Sequence, residues 1–110
     1  MKKTAIVTMF GLALAGLSTS AVLAADADAG KATYEKSCVA CHGKDGKGNP
    51  AMAKVMGEKE LNIVGADTKK KSDDQLLKVI AEGAGKMPAQ KSLSKDEQKQ
   101  ALGYVRSLAK

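Results

Sequence analysis

The sequence predicts a small all-α domain, and three observations support this. At 110 residues the chain suits one domain. Apolar residues recur at helical spacing in separate stretches, two of which begin with a serine-based capping box. The one run that could form a strand, residues 61–64, is too short to build a sheet.

The first 24 residues have the pattern of a secretory signal peptide. Lys2 and Lys3 form a basic start, and an apolar run of small and branched residues follows up to a small-residue cleavage site ending at Ala24. We expect removal of residues 1–24, which leaves a domain of residues 25–110. An uncleaved membrane anchor is the alternative, but the apolar run is shorter than the ~20 residues of a typical span.

The charge of the exported part favours protein partners over nucleic acid. Loss of Lys2 and Lys3 leaves 16 of the 18 basic residues against 12 acidic ones, a formal charge of +4. The excess is mild and acids are interleaved with it, so it argues against nucleic acid and fits acidic protein partners.

The exported part contains few large apolar side chains. Tyr34 and Tyr104 are its only aromatic residues, because the single Phe lies in the predicted signal and Trp is absent. Small exported domains usually compensate with several disulfides. This chain has only two cysteines, three residues apart, so something else is expected to fill the interior.

The first predicted helix runs from about Asp28 to Cys41, with Asp26 or Asp28 as its N-cap. The second follows Ser72, whose partner three residues on completes a capping box, and it is expected to stop at Gly83.

The third helix begins at Ser94, again with a capping box, and continues to about Ala109. One face of it is apolar at i, i+3, i+4 and i+7 spacing. That face consists of Ala101, Tyr104, Val105 and Leu108. Of the connecting segments, residues 43–49 and 83–92 are expected to be irregular, and residues 51–57 to form a short helix.

The strongest functional signal is the range 38–42, which reads Cys-Val-Ala-Cys-His. It holds the chain's only two cysteines and its only histidine. Two thiols three residues apart can add to the vinyl groups along one edge of a haem, and the next imidazole can bind the iron. Cys-x-x-Cys-His is the attachment signature of c-type haem. We therefore expect Cys38 and Cys41 to carry one haem c, with His42 as a ligand of its iron.

Three other uses of a Cys-x-x-Cys pair fit less well. A thioredoxin-like redox pair lies at a helix start beside a βαβ unit, whereas here a predicted helix precedes the motif and no sheet follows. A zinc site needs four ligands, and no fourth is evident. A structural disulfide leaves His42 and the thin interior unexplained.

With this motif near its start, the range 25–110 resembles the class I c-type cytochromes, of the small monohaem bacterial periplasmic kind. Residues 83–89, Gly-Ala-Gly-Lys-Met-Pro-Ala, are similar to the family's segment for the sixth iron ligand, and residues 93–108 to its C-terminal helix. The resemblance implies a cytochrome c-like fold, with three main helices around one covalently bound haem.

The resemblance also predicts a close helix crossing. Gly30 and Tyr34 match the family's N-terminal helix, where a small residue lets that helix approach the C-terminal one. We expect these two residues to meet Ala101 and Tyr104.

Met87 is the axial ligand opposite His42 that the resemblance implies. It lies far enough along the chain to reach the other face of the ring, and in a loop of glycine and proline. Met52 and Met56 follow His42 closely and are expected to pack against the porphyrin edge. A five-coordinate iron, or one bound by lysine, is the alternative.

Pro50 is a candidate for a supporting role. A metal-bound histidine usually donates its second N–H to a carbonyl or carboxylate, and in the resembled family a proline carbonyl shortly after the motif accepts it. Pro50 is the only proline in range, and a plain loop proline is the alternative.

Several lysines lie in or beside segments that are expected to surround the haem. They would form a positive collar that steers an acidic partner, and plain solvated surface is the alternative. These lysines are Lys31, Lys44, Lys47, Lys86 and Lys91.

Two filled axial positions leave no open site for oxygen or peroxide, so the resemblance implies electron transfer without enzymatic activity. We expect a monomeric periplasmic carrier of single electrons between redox proteins with acidic surfaces, not inserted in the membrane after signal cleavage. The alternatives are a permanently bound haem subunit of a larger redox enzyme, an open-site haem enzyme or gas sensor, and a disulfide oxidoreductase.

Overall fold

The computed structural model describes Gly11 and residues 19–110, with side chains from residue 26 onwards. Most of the predicted signal segment, residues 1–10 and 12–18, lies outside the described residues. Seven helices follow one another: α1 (Thr19–Ser37), α2 (Val39–His42), α3 (Pro50–Met56), α4 (Glu58–Leu61), α5 (Ala66–Lys70), α6 (Asp73–Glu82) and α7 (Lys95–Leu108).

The described residues contain no strand, only an isolated antiparallel bridge between Ala84 and Met87. The prediction of an all-α fold is therefore confirmed. None of the helices over the described range is long and apolar enough to cross a membrane.

Helix α1 differs from its prediction at both ends. It begins at Thr19 instead of near Asp28, so Asp26 and Asp28 lie inside the helix and the N-cap prediction for them is wrong. The stretch before Gly30 is rich in alanine and has no glycine or proline, so nothing in it stops a helix. At the other end Cys38 forms a turn, which separates α1 from α2.

Helices α6 and α7 begin where the sequence predicts. The Ser72 hydroxyl accepts a hydrogen bond from the Gln75 N–H, and the Gln75 side chain accepts one from the Ser72 N–H. Ser94 and Glu97 form the same reciprocal pair at the start of α7. Each box satisfies N–H groups that the first helical turn leaves without partners.

The interior is centred on the crossing of α1 and α7. Tyr34 is completely buried, and its ring centroid lies 5.2 Å from that of Tyr104. Gly30 lies against the backbone of Gln100, and Ala101 is buried beside it. The predicted crossing is therefore confirmed.

Arg106 joins α7 to the segment between α5 and α6. Its guanidinium donates to the carbonyls of Thr68 (3.1 Å) and Lys71 (2.7 Å) and to the Asp73 carboxylate (2.9 Å). Because these acceptors run from α5 to the first residue of α6, this side chain helps to hold that part of the chain against α7.

Candidate functional site

The Cys-Val-Ala-Cys-His segment forms one turn that leaves the end of α1. The Cys38 N–H donates to the Tyr34 carbonyl (2.8 Å), and the His42 N–H donates to the Cys38 carbonyl (2.9 Å). Residues three apart on such a turn are neighbours on its surface, which brings Cys38 and Cys41 to one side. Both thiols are free and half-buried. Burial, and to a smaller extent the neighbouring Cys41, raise the pKa of the Cys38 thiol.

His42 is held in one orientation by a backbone carbonyl. The residue is only 9% exposed, and its Nδ1 lies 2.8 Å from the carbonyl oxygen of Leu61 at the end of α4. Among the described residues no hydrogen bond involves Nε2. Every fully buried side-chain nitrogen or oxygen there has a hydrogen-bond partner, so Nε2 is not one of the fully buried atoms. Nε2 is therefore accessible and free to bind a metal, with Nδ1–H donated to Leu61.

The structure corrects the role predicted for Pro50. The carbonyl that faces His42 Nδ1 belongs to Leu61, eleven positions further along the chain than Pro50. Pro50 instead opens α3, where Asn49 is the N-cap and accepts a hydrogen bond from the Ala51 N–H. A proline at the first helical position loses no hydrogen bond, because that N–H has no partner within the helix.

The loop after His42 folds back onto the attachment segment. The Gly48 N–H donates to the His42 carbonyl (2.7 Å), and the Asn49 N–H donates to the Cys41 carbonyl (2.9 Å). The Asn49 side chain also donates to the Ala40 carbonyl, a contact that was not predicted from the sequence. The preference of asparagine for N-cap positions signals only its other contact, in which Oδ1 accepts from the Ala51 N–H.

Met87 lies in a tight turn that follows α6. Two backbone hydrogen bonds join Ala84 and Met87 (3.1 and 2.9 Å), and Gly85 between them has φ +55°. Gly83 has φ +80°, and a Cβ there would lie 2.6 Å from the Met87 carbonyl oxygen. The backbone path that presents Met87 therefore requires glycine.

The Met87 turn is linked to α3 by its neighbour in sequence. The Lys86 ammonium group donates to the Val55 carbonyl at 3.3 Å. Because α3 follows the loop that starts at His42, this bond connects the predicted sixth-ligand segment to the part of the chain that follows the attachment motif. Met52 and Met56, also on α3, are half-buried.

A protein-family model described as cytochrome c oxidase, cbb3-type, subunit III matches residues 25–105. The chain belongs to this family. It is a class I c-type cytochrome and carries covalently bound haem c with its iron, so the predicted cofactor is confirmed. Its haem transfers electrons, and its partners are redox proteins.

The residues of this cytochrome fit a haem beside the attachment segment. Six apolar side chains make up the buried core of the described residues, and neither α3 nor α6 contributes to it. The apolar side chains of α6 stay half-buried, as do Met52 and Met56 on α3. A large apolar ring between these helices would cover that surface and supply the missing interior.

Other metal chemistry finds little support in this cytochrome. Over the described range, no three or more side chains of His, Cys, Asp and Glu come together as a cluster that could hold an ion. The zinc alternative therefore lacks a ligand set among these residues.

Proposed function

We propose that this cytochrome is a periplasmic carrier of single electrons, whose haem is bonded to Cys38 and Cys41 and whose iron is bound by His42 and Met87. The observation that carries the proposal is the state of His42. Its ring is buried, its Nδ1 faces a carbonyl, its Nε2 makes no hydrogen bond among the described residues, and two free thiols lie within the four residues before it.

The chain's own residues prepare the site for electron transfer. The Leu61 carbonyl fixes the tautomer and plane of the His42 imidazole and makes its Nε2 a better donor to the metal. The thioether of Met87, a soft and weak donor, favours the reduced iron and raises the reduction potential. When bound, the haem supplies an iron that alternates between Fe(II) and Fe(III). With His42 and Met87 both bound to the iron, no position on it would be left for a substrate.

The periplasmic location rests on the pattern of residues 1–24. The family match begins at residue 25, directly after the predicted signal. Haem c is attached outside the cytoplasm, so export is consistent with the cofactor. We therefore propose that the working protein is the range 25–110.

The second candidate function is a permanently bound haem subunit. The matching family is described as a subunit of an oxidase, which favours this alternative. A mature protein that elutes as a monomer and exchanges electrons freely would support the carrier. Co-purification with a larger membrane chain at fixed stoichiometry would support the subunit instead.

The first test is the mass and spectrum of the mature protein made with a haem-attachment system. We expect the mass of residues 25–110 plus one haem, and the reduced absorption bands of a thioether-linked haem. The double substitution of Cys38→Ala and Cys41→Ala should abolish the covalent attachment. Val39→Ala, between the two thiols, is the matched control and should retain it. A wild-type protein without attached haem would contradict the proposal.

The predicted collar of lysines indicates that the proposed partner is acidic. The five predicted lysines are all exposed, but Lys31 lies 4.0 Å from Glu35, which offsets part of its charge. The exposed Val55 follows Lys54 in sequence, and its own carbonyl accepts a hydrogen bond from the Lys86 ammonium group. A small apolar surface therefore has basic residues beside it. We propose that an acidic redox protein docks there briefly, as redox partners do.

Electron transfer to such a partner should depend on salt. Between about 10 mM and 1 M salt the Debye length falls from ~30 to ~3 Å, and we expect the second-order rate to fall on the order of tenfold. Stopped-flow measurements of Lys86→Gln should show a slower rate and a weaker salt dependence. Lys110→Gln removes an exposed charge outside the collar and should change neither. A rate independent of salt would remove the collar from the proposal.

A further inference from the structure

Tyr34 contacts the haem-attachment segment at both of its ends. Its carbonyl accepts a hydrogen bond from the Cys38 N–H at 2.8 Å, at the first residue of the segment. Its hydroxyl donates to the carbonyl of Gly43, the residue directly after His42, at 2.6 Å. One residue of α1 therefore holds the residues on both sides of the haem-binding turn.

The Tyr34 hydroxyl is held firmly in this position. The residue is completely buried, and its ring packs against Tyr104 at the crossing of α1 and α7. Gly30, one turn earlier in α1, contacts the backbone of α7, so α1 cannot shift along the crossing without a clash. The ring has no room for a second orientation in a close-packed interior.

The Gly43 carbonyl connects this hydroxyl to the partner of the histidine. It also accepts from the Gly46 N–H (3.3 Å), and the Gly46 carbonyl accepts from the Ile63 N–H (2.8 Å). Ile63 lies two residues after Leu61, whose carbonyl faces His42 Nδ1. A continuous set of hydrogen bonds and backbone thus runs from Tyr34 to the imidazole.

We propose that Tyr34 is a positioning residue for the iron-bound histidine, acting through the Gly43 carbonyl. Its hydroxyl keeps the loop after His42 closed, which holds the Leu61 carbonyl on Nδ1. This inference rests on the proposed function, because it takes His42 as the ligand of the iron.

The test is the midpoint reduction potential of haem-loaded Tyr34→Phe, which keeps the ring and removes only the hydroxyl. Without that hydrogen bond the loop loosens and the Leu61 carbonyl is held less closely on Nδ1, so Nε2 becomes a weaker donor and the oxidised iron is less favoured. We expect the oxidised-to-reduced ratio at a fixed potential to fall about threefold, which corresponds to a midpoint potential roughly 28 mV higher at 59 mV per tenfold. Tyr104→Phe is the matched control, because it removes a hydroxyl from the same ring pair without changing the Gly43 contact.

The outcomes separate this inference from the proposed function. A raised potential in Tyr34→Phe, with Tyr104→Phe equal to wild type, supports the inference. An unchanged or lowered potential overturns it, even where thermal stability falls, because the hydroxyl then does not act through the Leu61 contact. If wild type carries haem but His42→Ala leaves the axial-ligand spectrum unchanged, the proposed ligand set fails and the inference with it.

Discussion

Gly30→Ala is expected to destabilise the folded cytochrome by about 2 kcal/mol, although alanine is the better helix former. A Cβ at position 30 would overlap the Gln100 carbonyl oxygen and lie 2.9 Å from its carbonyl carbon. Both atoms belong to the backbone of α7, so no side-chain rotation relieves the contact. Helices α1 and α7 must move apart, and the tightly packed Tyr34 and Tyr104 rings lose contact.

Gly103→Ala is the matched control for this prediction. Gly103 also lies within α7, but it is exposed and a Cβ there would meet nothing within 4 Å. We expect this substitution to stabilise the protein by about 0.5–1 kcal/mol, the usual gain of alanine over glycine in a helix.

The free energy of unfolding is measured by guanidinium titration of the haem-loaded proteins, followed by helical circular dichroism. Opposite signs for the two glycine substitutions would show that the crossing, and not helix propensity, decides the effect. Equal stabilisation by both would contradict the close approach of α1 and α7. Gly30→Val should lower stability further, because its side chain is larger and helix propensity no longer offsets the clash.

The parts of this fold that follow from local chemistry were predictable from sequence. Ser72 and Ser94 indicate helix starts. In each case the serine hydroxyl and the side chain of the residue three positions later accept hydrogen bonds from N–H groups at the start of the helix. The Gly30 crossing was predicted through resemblance to a family, since nothing local to Gly30 says which residue it will meet.

Backbone acceptors and distant side-chain contacts were not predictable in the same way. Leu61 serves His42 through a carbonyl, a group that every residue has, so residue type carries no signal for it. The Arg106 contacts with the α5–α6 segment likewise depend on how helices pack. Short helices α4 and α5, of four and five residues, were missed because each spans too little sequence for periodicity to show.

Met87→Ala is expected to convert this cytochrome into a protein with an open iron site. Loss of the thioether should remove the weak far-red band of the oxidised form, which reports an iron–sulfur bond. The reduction potential should fall by on the order of 0.1 V or more, within the roughly 0.8 V that axial ligands span. Carbon monoxide should then bind the reduced protein tightly at neutral pH, whereas wild type should resist it.

Met52→Ala and Met56→Ala are the controls that decide between the methionines. Both side chains lie on α3 and are half-buried, as Met87 is, so each loses a similar amount of apolar contact on truncation. Only Met87 lies in a turn that two hydrogen bonds and the glycines at 83 and 85 hold in place. If Met56→Ala removes the far-red band and Met87→Ala retains it, the ligand is on α3. If wild type itself binds carbon monoxide tightly, the iron has no sixth protein ligand and the open-site haem protein becomes the better account.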